Sequence, residues 1–275
     1  HLSIRRQRQM CIRDRYKEVE EKESLTPVKL LEKSAFFSGP TVSMKKYVTH
    51  PDKSGIISEF KRKSPSKGWI NASASVEQVS IGYMQAGASA LSVLTDKEYF
   101  GGTNEDLKIA RKFNYCPIIR KDFIVDEYQI LEAKSIGADC ILLIAAALGP
   151  EKLKSLAAFA KSLGMEVLME VHDGEELDRS LCDSLDLVGV NNRNLKTFEV
   201  SIDTSLGLVD RIPSDFVKIS ESGISDPATL IQLKKAGFDG FLIGENFMKS
   251  SRPEQAAYNF IKEFKKLTES QLSKA

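Results

Sequence analysis

Glu59 and Lys61 are the first residues of the chain whose types and spacing suggest chemistry. They end an apolar stretch that begins at Gly55, and a strand with this two-residue spacing carries both side chains on one face. Pro65 then ends the strand, because proline has no N–H for a sheet ladder. Burying a carboxylate and an ammonium in an apolar core costs free energy, whereas both groups are common in catalytic and binding sites. The alternative interpretation is a solvated edge strand with an incidental Glu–Lys pair.

Four later strand patterns also end in polar residues. These ends are Arg120-Lys121-Asp122, Glu170, Asn191-Asn192-Arg193 and Ser220-Glu221-Ser222-Gly223. In a barrel the carboxyl ends of parallel strands lie at one rim, where the sites of this fold are built. Polar ends would fill an apolar core poorly, so the pattern favours a reaction centre. The second, fourth and eighth strand patterns lack such ends, which argues against a generally polar rim.

Strand and helix patterns alternate from residue 56 to the end of the chain, and they must position these side chains. Strands are predicted at 56–61, 90–95, 117–121, 140–144, 166–170, 187–191, 217–221 and 240–243, and helices at 76–86, 104–112, 127–136, 150–163, 175–181, 203–209, 227–236 and 253–267. Glycines such as Gly137 and Gly237 follow several helices, in the left-handed position past a helix end. Eight such units predict an α/β fold, a (β/α)8 TIM barrel. A doubly wound open sheet is the alternative, because alternation alone does not establish closure.

We divide the chain into three parts. Residues 1–15 contain five arginines and lack the helical apolar pattern that starts at Tyr16. We interpret them as a non-native segment, with a basic arm for a nucleic-acid partner as the alternative. Residues 16–54 are predicted to form an N-terminal helical extension, in which Pro27 fits the first turn of a helix. Residues 55–275 are predicted to form the catalytic barrel.

Composition limits the possible partners. The chain is 42% apolar and 28% charged, which is ordinary for a soluble globular protein. Its net charge of +1 gives no reason to expect a nucleic acid or an anionic membrane as partner, and no apolar run reaches membrane-spanning length. Three histidines do not favour a histidine-rich metal site. The cysteines are scattered, which indicates reduced thiols in a cytoplasmic protein: Cys11, Cys116, Cys140 and Cys182.

Two glycine-containing loops follow the last two predicted strands. Ser222 and Gly223 come after the seventh strand, and Gly244 and Glu245 come after the eighth. In a TIM barrel these two loops often hold a phosphate on their backbone N–H groups. Glu245 conflicts with this interpretation, since a carboxylate repels a phosphate unless it points away. Either glycine alone would fit an ordinary turn, but their pairing predicts a phosphate site.

Together these segments resemble the signature of the indole-3-glycerol phosphate synthase family of tryptophan biosynthesis. The resemblance is carried, in order along the chain, by residues 59–67, 94–102, 120–124, 170–172, 189–193, 220–224 and 242–245. It implies a carboxy-lyase without cofactor or metal. The substrate would be 1-(o-carboxyphenylamino)-1-deoxyribulose 5-phosphate, and the products indole-3-glycerol phosphate, carbon dioxide and water. The resemblance also implies a cytoplasmic monomer or weak dimer with no nucleic-acid or membrane partner.

The resemblance places three residues at the chemical steps. Lys121 occupies the general-acid position, and a lysine serves there if nearby charge and burial bring its pKa towards the working pH. Glu170 occupies the position of the base that takes the proton whose loss forms the indole. Lys61 would bind the substrate carboxylate or phosphate and is a second candidate acid. The division of acid roles between Lys61 and Lys121 stays open.

The remaining candidates are assigned to orientation and binding. Glu59 and Asn191 would hydrogen-bond sugar-derived hydroxyls, and Glu221 would support the lysines electrostatically. The other implied substrate contacts are Ser64, Ser222, Gly223, Gly244 and Glu245 around the phosphate, Phe100 as an apolar wall, and Arg193 at the substrate carboxylate or a neighbouring loop. Phe123 fits the core as well as the wall. His172 matches no catalytic position of the family, and we interpret it as structural.

Other functions make different predictions. Phosphoribosylanthranilate isomerase, another phosphate-binding barrel, uses a cysteine and an aspartate, whereas the first strand here supplies Glu59 and Lys61. A non-catalytic barrel that only binds a sugar phosphate would keep its function after Lys121→Ala or Glu170→Gln. A nucleic-acid role through the arginine-rich start would be lost on removal of residues 1–15.

Overall fold

Eight parallel strands close into a barrel in which strands adjacent in the chain are adjacent in space. The computed structural model describes residues 4–194 and 197–272, with side chains from Asp14 to Ser270 outside that gap. The strands are β1 (Ile56–Phe60), β2 (Ala90–Leu94), β3 (Ile118–Lys121), β4 (Cys140–Ile144), β5 (Glu166–Val171), β6 (Leu187–Asn191), β7 (Val217–Glu221) and β8 (Gly240–Ile243). β1 pairs with β8 through Ile57 and Leu242, which closes the ring. The TIM-barrel prediction is confirmed, and the doubly wound alternative, which requires free sheet edges, is wrong.

Three helices precede β1, and the other helices follow the strands along the chain. They are α1 (Ile4–Leu25), α2 (Val28–Leu31), α3 (Met44–Val48), α4 (Val76–Gln85), α5 (Lys97–Phe100), α6 (Asn104–Phe113), α7 (Glu127–Ser135), α8 (Pro150–Ser162), α9 (Gly174–Ser180), α10 (Asp203–Leu208), α11 (Pro227–Ala236), α12 (Glu245–Met248) and α13 (Pro253–Leu272). Two small elements were not predicted from the sequence: α5, and an antiparallel hairpin that pairs Lys63–Ser64 with Gly68–Trp69. Within the described residues, no helix combines the length and the apolar character needed to cross a bilayer.

Two apolar layers hold the barrel together. Inside the ring, inward-facing residues of the strands form one cluster, and Met44 and Val48 of α3 pack into it. The larger cluster lies between strands and helices. The predicted glycines allow the short turns between these layers: Gly137 (φ 93°) and Gly237 (φ 111°) adopt the left-handed conformation that a Cβ would strain. The inner core therefore fills the amino end of the barrel and leaves the carboxyl end for polar side chains.

The N-terminal helix is tied to the barrel by a buried arginine. α1 runs without a break across the predicted boundary at residue 15. The Arg15 side chain is 5% exposed, and its guanidinium contacts Asp96, Asp122 (3.2 Å) and Glu18 (2.6 Å). Asp96 follows β2 and Asp122 follows β3, so Arg15 joins α1 to the carboxyl ends of two strands. Residues 1–3 lie outside the described residues, and the non-native origin of 1–15 stays a prediction, but Arg15 belongs to the packed structure.

Replacing Arg15 by methionine should lower the free energy of unfolding by about 3 kcal/mol, because the buried Asp96 carboxylate loses its ion-pair partner. Urea unfolding measures this change. Burial, opposed by the Tyr99 N–H and Arg15, already raises the pKa of Asp96. A carboxyl whose pKa is raised in the folded state makes the protein less stable as pH rises and the group ionises. The loss of unfolding free energy in Arg15→Met should therefore become smaller towards pH ~4, where Asp96 is protonated. Arg15→Lys keeps the charge and should lose less. An Arg15→Met protein as stable as the parent at pH ~7 would show that this ion pair does not stabilise the folded protein.

Candidate active site

One cavity of about 680 Å³ opens at the carboxyl ends of the barrel strands. Every site residue predicted from the sequence lines it. The thirteen residues are Glu59, Lys61, Ser64, Phe100, Lys121, Glu170, Asn191, Arg193, Glu221, Ser222, Gly223, Gly244 and Glu245. Side chains far apart in the chain therefore meet at one mouth of the barrel, as the strand ends indicated. Their individual roles stay predictions.

Lys121 is the centre of the cavity's charged residues. Its ammonium lies 2.6 Å from a Glu221 oxygen, 3.6 Å from a Glu170 oxygen and 3.8 Å from a Glu59 oxygen. The three carboxylates come from β7, β5 and β1, and each is at most 6% exposed as a residue. Because three carboxylates surround one ammonium, Lys121 is a preformed cation that faces the cavity.

The surroundings of Lys121 shift its pKa upwards, whereas a lysine that acts as general acid was argued to need a pKa closer to the working pH. Burial favours the neutral amine, but the charges of Glu221, Glu59 and Glu170 outweigh burial and hold the pKa well above its ordinary value. For Glu221 the balance differs: burial and the neighbouring Glu170 raise its pKa despite the attraction of Lys121. Lys121 therefore carries its proton at every working pH.

Glu59 and Lys61 form the second charged pair, with 2.8 Å between the Glu59 oxygen and the Lys61 nitrogen. The strand spacing that suggested a shared face is therefore confirmed. Burial raises the pKa of Glu59, but Lys61 and Lys121 outweigh it and bring the pKa below its usual value. A Cβ on Gly244 would lie 2.3 Å from the Glu59 carboxylate, so this glycine makes room for the acid.

Gly189 is a site residue that sequence reasoning missed as an individual candidate. A Cβ at this position of β6 would lie 2.2 Å from Glu221 Oε1. The glycine thus provides the space in which Glu221 turns towards Lys121. Its position within the segment 189–193, two residues before Asn191, was the available signal. The rim also carries two exposed lysines that were not named as candidates, Lys67 and Lys249.

Polar residues next to the site residues point elsewhere. Arg120 precedes Lys121 but is fully buried on the outer side of β3, where it binds Glu132 (2.6 Å) and Asp122 (3.1 Å). Asn192, next to Asn191, is also buried and donates a hydrogen bond to Ser220 Oγ (3.0 Å). Alternation along a strand explains the difference, since successive side chains face opposite sides. These neighbours support the site without lining it.

Two phenylalanines form an aromatic wall. The rings of Phe100 and Phe123 lie 6.2 Å apart between centroids at an angle of 36°, and both line the cavity. Phe123, for which core and wall were equally consistent with the sequence, therefore belongs to the wall. The wall lies on the β2 and β3 side, where Arg15 contacts Asp96 and Asp122. A planar apolar group would fit against it.

The two late loops, which follow the neighbouring strands β7 and β8, line the same cavity. Ser222 (φ 68°) and Gly223 (φ 74°) are both left-handed, a conformation that non-glycine residues rarely adopt and that clusters at ligand sites. Glu245 lies 3.5 Å from the Arg193 guanidinium. This ion pair satisfies the Glu245 carboxylate, which lessens the conflict with a phosphate. Among residues 4–194 and 197–272, no group of three or more His, Cys, Asp or Glu is arranged to hold a metal.

Comparisons with known proteins agree with this geometry. The family model for indole-3-glycerol phosphate synthase matches residues 8–260. The chain is 53% identical over 220 residues to an indole-3-glycerol phosphate synthase of Bacteroides thetaiotaomicron, covering 80% of this chain and 84% of that one. It is 49% identical over 201 residues to that of a Polaromonas strain, covering 73% and 76%.

Solved structures at low identity support the fold alone. A thiamine phosphate pyrophosphorylase of Pyrococcus furiosus has a TM-score of 0.58 at 14% identity, over 81% of this chain and 99% of that one. A mutant tryptophan synthase alpha-subunit of the same organism has a TM-score of 0.57 at 15% identity, over 78% and 98%. The family match and the close relatives go further than the fold: the chain belongs to the indole-3-glycerol phosphate synthase family of carboxy-lyases.

Proposed function

We propose that this protein converts 1-(o-carboxyphenylamino)-1-deoxyribulose 5-phosphate to indole-3-glycerol phosphate, carbon dioxide and water. The observation that carries the proposal is the Lys121 ammonium, held in one cavity between Glu59, Glu170 and Glu221. This arrangement offers a proton donor and a carboxylate base within reach of a single bound molecule. Family membership supports the same reaction.

The reaction forms one carbon–carbon bond and then loses two small molecules. A ring carbon of the substrate attacks the ketone carbon, and the ketone oxygen takes up a proton. The ring carboxylate leaves as carbon dioxide, which restores the aromatic ring. The new hydroxyl then leaves as water while a base removes the proton whose loss forms the indole double bond.

Lys121 provides the acid in the first step. Its ammonium is already charged and oriented, so it stabilises negative charge that develops on the ketone oxygen without reorganising. The raised pKa makes it a poor acid in the free enzyme. Lys121 therefore acts first by electrostatic stabilisation. Donation of its proton becomes favourable as the ketone oxygen gains negative charge in the transition state.

Glu170 acts as the base of the last step. One of its oxygens lies 3.6 Å from the Lys121 nitrogen, a distance at which the carboxylate is held by attraction and still free to accept a proton. Lys61, paired with Glu59, is placed to meet the hydroxyl that leaves as water or the substrate carboxylate. Asn191 lines the same cavity and would orient the sugar-derived hydroxyls.

The remaining lining residues anchor the two ends of the substrate. Phe100 and Phe123 would hold the aromatic ring. The phosphate would lie among Ser64, Ser222, Gly223 and Gly244, with Glu245 turned to Arg193. A ring at one end and a dianion at the other fix the reacting carbons between Lys121 and Glu170, which lowers the entropy cost of the attack.

We further propose that the enzyme works in the cytoplasm, as a monomer or weak dimer, without cofactor, metal or nucleic-acid partner. The near-neutral net charge and the free thiols of Cys116, Cys140 and Cys182 support this setting. The side chain of Cys11 lies outside the described residues.

Lys121→Ala and Glu170→Gln should each lower kcat by about 10²- to 10⁴-fold, because they remove the ammonium and the base. Fluorescence of the indole product, recorded in steady state, measures both rates. Lys161→Ala is the matched control, since it removes a half-exposed ammonium from Asp186 on the outside of the barrel and should leave kcat unchanged. Wild-type turnover in both site variants would contradict the roles given to Lys121 and Glu170, whereas absence of turnover in the parent protein would favour the non-catalytic sugar-phosphate barrel.

Gly189→Ala should lower kcat by about 10- to 100-fold, because the new Cβ displaces the Glu221 carboxylate from Lys121. The same assay measures the loss, and circular dichroism checks that the barrel still folds. Gly207→Ala serves as the control: a Cβ there meets open space in α10. If Gly189→Ala turns over at the parental rate, the close Lys121–Glu221 contact is not required for the reaction.

A further inference from the structure

His172 lies between two carboxylates at the carboxyl end of β5. Its Nε2 is 3.4 Å from Glu170 Oε1, and its Nδ1 is 3.1 Å from Glu176 Oε2. Glu170 and His172 are two residues apart, which puts both side chains on the same face of the chain. The imidazole is 10% exposed, so these contacts form with little competition from water.

Glu176 fixes the orientation and the tautomer of this imidazole. The same Oε2 accepts a hydrogen bond from the backbone N–H of His172 (2.8 Å), while the backbone N–H of Glu176 donates to Asp173 Oδ1 (2.8 Å) at the start of α9. An ionised carboxylate only accepts hydrogen bonds, so Nδ1 must carry a proton and donate a hydrogen bond to Glu176. Nε2 is left as the ring atom that faces the proposed base.

The contact between Nε2 and Glu170 is attractive in only one protonation state. In a neutral ring whose proton is on Nδ1, the Nε2 lone pair would face a carboxylate oxygen, and two acceptors repel. Nε2 is buried and has no hydrogen-bond partner within the described residues. A proton on Nε2 turns this contact into an ion pair and satisfies the buried nitrogen.

The charges around the ring favour that proton. The groups that face it are Glu170 on β5, Glu176 on α9 and Glu221 on β7, and Lys121 lies 3.6 Å from Glu170. Burial lowers the pKa of His172, but the hydrogen bond to Glu176 and the charges of Glu170, Glu176 and Glu221 raise it above its ordinary value overall.

We propose that His172 is a positioning residue for Glu170: as an imidazolium anchored by Glu176, it holds Oε1 of Glu170 and leaves Oε2 facing Lys121 and the substrate. Lys121 contacts Oε2 and His172 contacts Oε1, so the two cations take different oxygens of one carboxylate. The inference rests on the proposed role of Glu170 as the base. His172 touches neither substrate nor reacting atom; it sets the direction from which the base approaches.

Two substitutions separate this role from a purely structural one. His172→Asn keeps a donor near Nδ1 for Glu176 and removes the partner of Glu170 Oε1, whereas His172→Gln places a neutral donor near Nε2. We expect His172→Asn to slow ring closure in single turnovers by about tenfold or more, with KM within about twofold, and His172→Gln to recover most of the rate. Equal rates for His172→Asn and the parent at equal thermal stability would overturn the proposal.

The pH dependence gives a second readout. The imidazolium is lost as pH rises through the pKa of His172, so the parent should lose single-turnover rate on the alkaline side, and His172→Gln should lack this limb. Glu176→Gln removes one of the charges that raise the pKa, so its limb should move to lower pH. Lys121 does not explain such a limb, because its own pKa lies well above the ordinary value. An alkaline limb that is unchanged in both variants would also overturn the proposal.

Two further variants make each outcome interpretable. His50→Gln replaces a half-exposed histidine away from the cavity and should keep the parental pH profile. Glu170→Gln is measured in the same experiment. If Glu170→Gln is slow while His172→Asn is fast, only the positioning role fails. If Glu170→Gln is as fast as the parent, the proposed base fails and the role of His172 fails with it.

Discussion

The attraction between one buried ammonium and three buried carboxylates is the constraint on which the site depends. Two like charges about 4 Å apart repel by roughly 4 kcal/mol at an effective dielectric constant of 20, so Glu59, Glu170 and Glu221 need a shared cation to be ionised together. Lys121 is that cation. Each of the four is the last or next-to-last residue of its strand, β1, β3, β5 or β7. Side chains of alternate strands form one layer in a TIM barrel, so this charged group replaces the apolar layer nearest the mouth.

Two of the neighbouring strands, β6 and β8, have a glycine within or directly after them at the level of these charged residues and so leave room for them. Gly189 of β6 and Gly244 after β8 are the positions where a Cβ would lie within 2.3 Å of Glu221 and Glu59. A charged layer is wider than an aliphatic one, because each carboxylate must turn towards the central ammonium. Gly189 and Gly244 have no Cβ, which leaves the space that these carboxylates occupy. Gly189 and Gly244 therefore make room for the charged residues of the odd strands to pack together.

Sequence periodicity was sufficient to predict eight alternating strand and helix units, and polar strand ends were sufficient to predict which residues line the cavity. Both follow from local patterns, because a strand shows its buried face and its end within a few residues. The direction of the Lys121 pKa shift was not predictable, since it depends on three carboxylates that lie up to 100 positions away in the chain. The pairing of Glu245 with Arg193 and the burial of Arg15 against Asp96 likewise depend on distances between elements. Closure of the ring also required the structure.

β3 links the site to the outer shell of the protein. Lys121 faces the cavity, while Arg120 faces outward to Glu132 of α7 and to Asp122, which also binds Arg15 of α1. Each of these buried ions depends on the others for its partner, because an unpaired charge in this layer would cost several kcal/mol. The N-terminal helix, the strand that carries Lys121 and the loop that carries Phe123 are therefore held by one ionic network. Arg15 and Glu132 do not line the cavity, but they bind Asp122 and Arg120, the two neighbours of Lys121 in the chain, so the extension belongs to the architecture of the site.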